Sequence, residues 1–235
     1  MLLLLEPQNP IPYIIIILVI IAIGIGSFYF SKKQRILRKL NKFHTRRVIQ
    51  FRTNELTKIT GKTLHVHEPL IAPLSGRRCV AYLITVKKKR NTGKSSSWHT
   101  VLQLEEFQDF FIEENGEVVL VQPRKSPKKN YDAFLVQDHS VRSGFLNDPT
   151  PEFESFLRTH DIDSTNLLGF NKTLEYSERV IELGEIVTVG GIAKWKEVNE
   201  QLSDYSYTRI AALESSDKQK IVITDHYAAK PKNKR

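Results

Sequence analysis

Apolar and polar positions divide the chain into two unequal parts. Residues 11–30, IPYIIIILVIIAIGIGSFYF, are twenty positions without a charge. At about 1.5 Å rise per residue such a run matches a hydrocarbon core of roughly 30 Å, so the pattern predicts a membrane-spanning helix. Ile36, Leu40 and Phe43 then recur four and three apart, one apolar stripe on a helix of cations. That helix either lies in the headgroup layer or extends the span into water.

From Thr45 the period falls to two. ELTKITGKTLHVH (55–67) offers Leu56, Ile59 and Leu64 to a buried face, with Gly61 as a bulge. CVAYLITVKKKR places Val80, Tyr82, Ile84 and Val86 on one side. It joins through NTGKSSS to SWHTVLQLEE, a long hairpin. FFIEENGEVVLVQP predicts a second hairpin about Asn115-Gly116, a pair suited to a primed turn. Residues 137–150 read as loop. Thr150, Pro151, Glu152 and Glu154 open a short helix with Phe153, Phe156 and Leu157 on its apolar face.

TLEYSERVIEL, EIVTVGGIAKWKEV, YSYTRIAALE and QKIVITD are four more strand-like runs. Residues 48–63 and 180–195 share a shape: a Val-Ile pair, a polar break, an acid, an alternating strand and a glycine. The likeness suits two related small modules or chance between amphipathic strands. The expected fold class is mainly β: a compact barrel-like or sandwich domain, with room for two small modules and one short helix, on an N-terminal transmembrane helix.

Charge refines this division. The net charge is +9, yet residues 51–229 hold 23 basic and 25 acidic side chains. The excess lies in Lys32, Lys33, Arg35, Arg38, Lys39, Lys42, Arg46 and Arg47, and in the terminal KPKNKR. These eight collar cations are expected to contact the membrane, and no nucleic-acid partner is expected. No Lys or Arg precedes the apolar run and no small-x-small site follows it, which argues against a cleaved signal. The positive-inside rule puts the N-terminus outside and the β domain in the cytoplasm.

The expected boundaries are a span at 11–30, a basic juxtamembrane segment at 31–44, a β domain at 45–226 and a basic disordered tail at 227–235. Ala22 and Gly26, four apart, offer a close helix contact for a homodimer.

Candidate chemistry is sparse. Cys79 is the only cysteine, so no internal disulfide forms, which suits a reducing compartment. At the head of an apolar strand it reads as a small buried hydrophobe rather than a nucleophile. His65 and His67 could be half a metal site, but the sequence places no third ligand. Asp161 and Asp163 lack a partner. Phosphate-cradling glycine loops, nucleophile elbows and zincin helices are missing from the sequence. No catalytic residue, metal or cofactor is therefore expected. Tyr82, Trp98, Phe110, Phe111 and Trp195 are read as core. Pro73, Ser75 and Gly76 make a sharp turn into the Cys79 strand.

APLSGRRCVAYLITV (72–86), Trp98, DFFIEENGEVVLVQP (109–123) and GFNKTLEYSERVIELGEIVTVGG (169–191) together resemble a known family. It is the GIDE-type domain, also called BAM for "beside a membrane", of MULAN-type mitochondrial E3 ubiquitin ligases and bacterial relatives. The resemblance covers about residues 45–225. Its motif positions are Pro73, Leu74, Ser75, Gly76, Cys79, Tyr82, Trp98, Phe110, Glu178, Gly184 and Gly190.

The family's ligases carry a second span and a zinc-binding RING with eight Cys/His ligands, which one cysteine cannot supply. The resemblance therefore implies a single-span, RING-less member of the bacterial type, at the inner membrane. Its expected role is non-enzymatic binding or scaffolding with a protein partner. The alternatives are a ligase-like role by homology alone, and lipid or nucleic-acid recognition through basic tips at 87–90 and 124–129.

Overall fold

The computed structural model describes residues 11–91, 93, 95–143, 150–165, 172–197 and 209–231. The fold is mainly β: of the described residues 46% are strand and 22% helix. Two α-helices come first, α1 (Ile11–Phe30) and α2 (Lys32–Leu40). The strands β1 (His44–Thr45), β2 (Leu56–His65), β3 (Leu70–Ile71), β4 (Arg78–Asn91), β5 (Ser96–Phe107), β6 (Phe110–Glu114), β7 (Glu117–Val121), β8 (Tyr131–Phe134) and β9 (His139–Ser143) follow. Helix α3 (Pro151–Thr159) precedes β10 (Leu174–Glu182), β11 (Ile186–Glu197), β12 (Arg209–Glu214) and β13 (Ile221–Thr224).

Five strands close a barrel in the order β2-β6-β7-β12-β11 and back to β2. Only β7 and β12 run parallel among these contacts; the rest are antiparallel. Numbered within the barrel, the order is 1-2-3-5-4-1, a five-stranded Greek-key closure of the OB type.

Gly61 is the corner. β2 pairs with β11 from Leu56 to Lys62 and with β6 from Lys62 to His65. A Cβ at Gly61 would stand 2.2 Å from the Glu113 carbonyl oxygen, so only glycine fits. The bulge expected there is instead a close strand approach. Ile59, Phe110, Ile112, Val119, Val121, Val189 and Leu213 help fill the interior.

The strands of similar shape at 48–63 and 180–195 contribute β2 and β11, which pair with each other in this one barrel. They do not open separate modules. The second unit is a half-barrel, β3-β4-β10-β9 with β5 on β4. Its core joins Ile84, Val86, Leu174 and Tyr176 to Phe153, Phe156 and Leu157 of α3. Thr150 caps α3, its hydroxyl accepting from the Phe153 amide at 3.3 Å.

Both expected hairpins form. β4 and β5 pair from Ala81–Phe107 to Asn91–Ser96. Asn115 and Gly116 take φ of 56° and 84°, as a primed turn requires. β8 adds to β13, and β9 to β10 across part of the segment expected as loop. Residues 205–208 of the YSYTRIAALE run, 169–171 of the family segment, 1–10 and 232–235 lie outside the described residues.

Two stripes of apolar side chains lie outside the barrel interior and are also buried. Phe111, Val118, Leu120, Ile210 and Ala212 alternate with interior residues on β6, β7 and β12 and form their own cluster with Val66. On the other side Val222 packs with Ile36, Leu40 and Phe43, joined by Leu56, Phe134 and Ala229. The collar stripe is therefore domain core. Ile36 is 4% exposed and Leu40 2%, neither lying in headgroups nor solvated. Through this stripe α2 packs against the β strands.

Tyr227–Ala229 form a 3-10 turn with Ala229 packed on α2, so this part of the expected tail is ordered.

Candidate functional site

Ser31 divides anchor from collar. It leaves the helical conformation (φ −57°, ψ 149°), ending α1, while its hydroxyl caps α2 by accepting from the Gln34 amide. α1 is uncharged, exposed, and long and apolar enough to cross a membrane. Arg38 reaches back over the bend. Its guanidinium sits 3.9 Å from the Tyr29 ring centroid and donates to the Tyr29 carbonyl at 2.7 Å.

α2 is seated on the barrel by a gap and a cap. Gly190 of β11 leaves room for Leu40 and Phe43. Lys58 of β2 donates to the Leu40 carbonyl at 3.2 Å, at the negative end of the helix. On one flank Lys39 pairs with Asp132 of β8. On the other, Lys33 stands 6.0 Å from the ring centroid of Tyr227, which is 76% exposed and stacked on His226. The junction thus carries Tyr29, Tyr227 and a group of cations at the mouth of α1. Aromatic rings and cations of this kind suit a membrane–water interface.

The expected membrane-contact residues are dispersed around this junction. Lys32, Arg35 and Lys39 line one cavity with Lys129. Lys33 and Arg38 flank the α1 exit, and Lys42 and Arg47 are exposed. Arg46 is turned to the barrel, its guanidinium 2.9 Å from Glu55, whose carboxyl it holds below the usual range.

Of the motif positions, Pro73, Leu74, Ser75, Gly76, Cys79 and Glu178 meet elsewhere, where β4 and β10 pair. The Pro73–Gly76 turn is closed by the Gly76 amide donating to the Ala72 carbonyl at 2.9 Å, with Gly76 at φ +68°. Glu178 of β10 is buried under it and accepts from the Leu74 amide at 3.0 Å. Arg77 pairs with Glu182 and lies 3.9 Å from both Glu178 and Asp138. Asp138 accepts from the Val180 amide at 2.7 Å. One arginine thus gathers three carboxylates and pins the turn to β10.

Cys79 lies fully buried beside this clasp. Burial, then the Glu178 charge, pushes its thiol up to about 11. It is the small buried side chain expected, and a raised pKa makes its thiolate scarce at neutral pH. Phe110 and Phe111 are core, and Trp195 is half-buried, donating to the Phe51 carbonyl at 3.3 Å. Trp98 is not core. It is 38% exposed on β5, with the Arg142 guanidinium 5.6 Å from its ring. Gly184, at φ +80°, turns β10 into β11.

His65 and His67 are both exposed. Among the described residues no three His, Cys, Asp or Glu side chains are grouped to hold a metal.

Sequence reading missed two carboxyls. Burial pushes Glu185 up to about 7, with Asp225 and Asp138 adding to the effect. It pushes Asp225 up to about 6, against two backbone hydrogen bonds that pull it down. Nothing in the local sequence marks either residue: Glu185 lies in the β10–β11 turn, and Asp225 follows β13 and accepts from the Val136 amide at 2.9 Å.

No protein-family model, curated protein or solved structure matches this chain. The fold itself defines the class: a mainly β domain of closed barrel and half-barrel, carried on a helix of membrane-spanning length.

Proposed function

We propose that the chain is a membrane-tethered, non-enzymatic binding module of the GIDE/BAM type, held at the cytoplasmic face with its N-terminus outside. The observation that carries this reading is the seating of α2. The residues just after the apolar helix are core residues of the β domain, so the domain is built against its anchor rather than leashed to it. A free linker would suit delivery to the membrane. A docked one suits presentation of a fixed face to a partner.

The buried outer stripe on β6, β7 and β12 supports a protein role over nucleic acid. On OB-type barrels the face of the second and third strands is a common oligonucleotide platform. Here Phe111 and Leu120 fill that face as buried apolar residues. Fold alone assigns no function, so the reading rests on these side chains.

Alkaline extraction of membranes from cells expressing the full chain tests the tether. The protein is expected to stay in the pellet and to float with vesicles; release would remove the reading. Photo-crosslinkers at the exposed positions 89, 90 and 125 in those membranes test the binding role. Discrete protein adducts are expected, and none from any of the three positions would count against it.

A further inference from the structure

The flank of α2 that faces β8 encloses a cavity of about 140 Å³, lined by Lys32, Arg35, Lys39, Lys129 and Asp132, with Ile36 and Ala133 as its apolar part. Four cations thus meet one carboxylate. Asp132 serves Lys39 and also lies 3.8 Å from Lys220. Lys129 is held by Glu105, at 2.7 Å to each oxygen, and stands 4.4 Å from the Tyr131 ring centroid. These acids fix the two lysines in place on the cavity wall.

Lys32 and Arg35 have no acid within ion-pair distance among the described residues, so the charge balance of the cavity is left positive. Burial of part of its stem lowers the Lys32 pKa, with the Glu105 and Asp132 carboxylates pulling the other way. The position is specific as well. Lys32 is the second residue after Phe30, so one wall of the cavity lies next to the end of α1.

We propose that this cavity is a headgroup site for an anionic phospholipid of the membrane that α1 spans. The phosphate lies between Arg35, Lys32 and Lys129, and Ile36 and Ala133 receive the apolar edge of the glycerol region. Arginine suits the phosphate because its planar fork can bind two oxygens together. The inference rests on the tether reading above. It goes further in joining the collar to the barrel through a shared ligand, which a basic collar alone would not do.

The full chain in neutral detergent, titrated with phosphatidylglycerol or phosphatidylcholine, tests the site. The readouts are the thermal midpoint of the β domain and lipid retained in native mass spectrometry. Phosphatidylglycerol is expected to raise the midpoint and to be retained one per chain. Phosphatidylcholine and inorganic phosphate are expected to do neither.

Arg35→Gln, which removes no described ion pair, is expected to weaken the phosphatidylglycerol effect at least threefold, and Lys129→Gln similarly. Lys89→Gln with Arg90→Gln, on the far hairpin tip, is expected to leave it unchanged. An effect that survives Arg35→Gln and Lys129→Gln, or falls equally in the far-tip variant, overturns the site. Equal protection by inorganic phosphate overturns the lipid as its source. If the chain floats with vesicles but ignores phosphatidylglycerol, the headgroup site fails and the tether stands. If it does not float, both fail.

Discussion

A Cβ on Gly190 would stand 3.0 Å from Leu40 Cδ2, and 3.1 Å from the ring of Phe43. The barrel strand β11 lacks a side chain where the collar helix presses on it, so helix and barrel share one packed layer. The relation ties an element predicted as a juxtamembrane helix, in headgroups or in water, to one predicted to belong to the domain.

Gly190→Val should therefore force α2 off the barrel. Overpacking of this kind costs about 1–3 kcal/mol. The expected outcome is a lower thermal midpoint with faster hydrogen exchange over residues 32–43 and little change in β6 and β7. Unchanged exchange in α2 would contradict the docking.

A fragment that begins at Thr45 lacks Ile36, Leu40 and Phe43, and so uncovers Val222, Leu56 and Phe134. It is expected to be less stable than one beginning at Ser31, and to self-associate through the exposed patch. Equal denaturation midpoints for the two fragments would mean that α2 is only a spacer. Membrane-free work on the domain should accordingly start at or before Ser31.

Cys79 should resist a maleimide reagent in the native protein and react quickly after unfolding in urea. It is fully buried, and its thiol is held near 11, so thiolate is scarce at neutral pH. Fast native labelling would reopen a reactive role for it.

Glu185 gives a pH test. Its folded pKa, about 7, lies above the value near 4.3 of an unfolded glutamate. The folded state therefore holds the proton more tightly between these values. The stability contributed by the neutral form is complete below about pH 4 and is lost as pH rises through 7. Glu185→Gln should raise stability at pH 8 by about 1 kcal/mol and change little at pH 4. Chemical denaturation of both proteins at the two pH values measures this; an equal shift at both would exclude titration as the cause. The amide keeps an oxygen for the Glu182 amide, which the carboxylate now accepts at 3.0 Å.

Glu178→Ala should cost about 2 kcal/mol, because it leaves the Leu74 amide unpaired and Arg77 short of a carboxylate. Its effect should be largest on exchange in the 72–79 turn. An unaffected turn would make Glu178 a bystander and not its anchor.

What the sequence by itself determined was periodicity and its consequences. Twenty uncharged residues specify a helix of spanning length, because bilayer thickness fixes the count. Alternation specifies strands, Asn115-Gly116 a hairpin, and Thr150-Pro151 a helix start, because each depends on neighbours within four residues. The head-of-strand position of Cys79 also indicated its burial.

Tertiary structure decided everything that depends on which distant surfaces meet. The stripe of Ile36, Leu40 and Phe43 reads the same whether its partner is lipid, water or protein. Only Val222, Leu56 and the missing side chain at Gly190 select protein. Trp98 alternates like a core residue, but β5 turns it outward where Arg142 meets it. β8 and β9 are short and form where β13 and β10 offer them edges. Barrel closure follows from Gly61, whose lack of a side chain has meaning only once β6 lies against it. Local patterns set the elements, while long-range packing set the anchor's place in the domain.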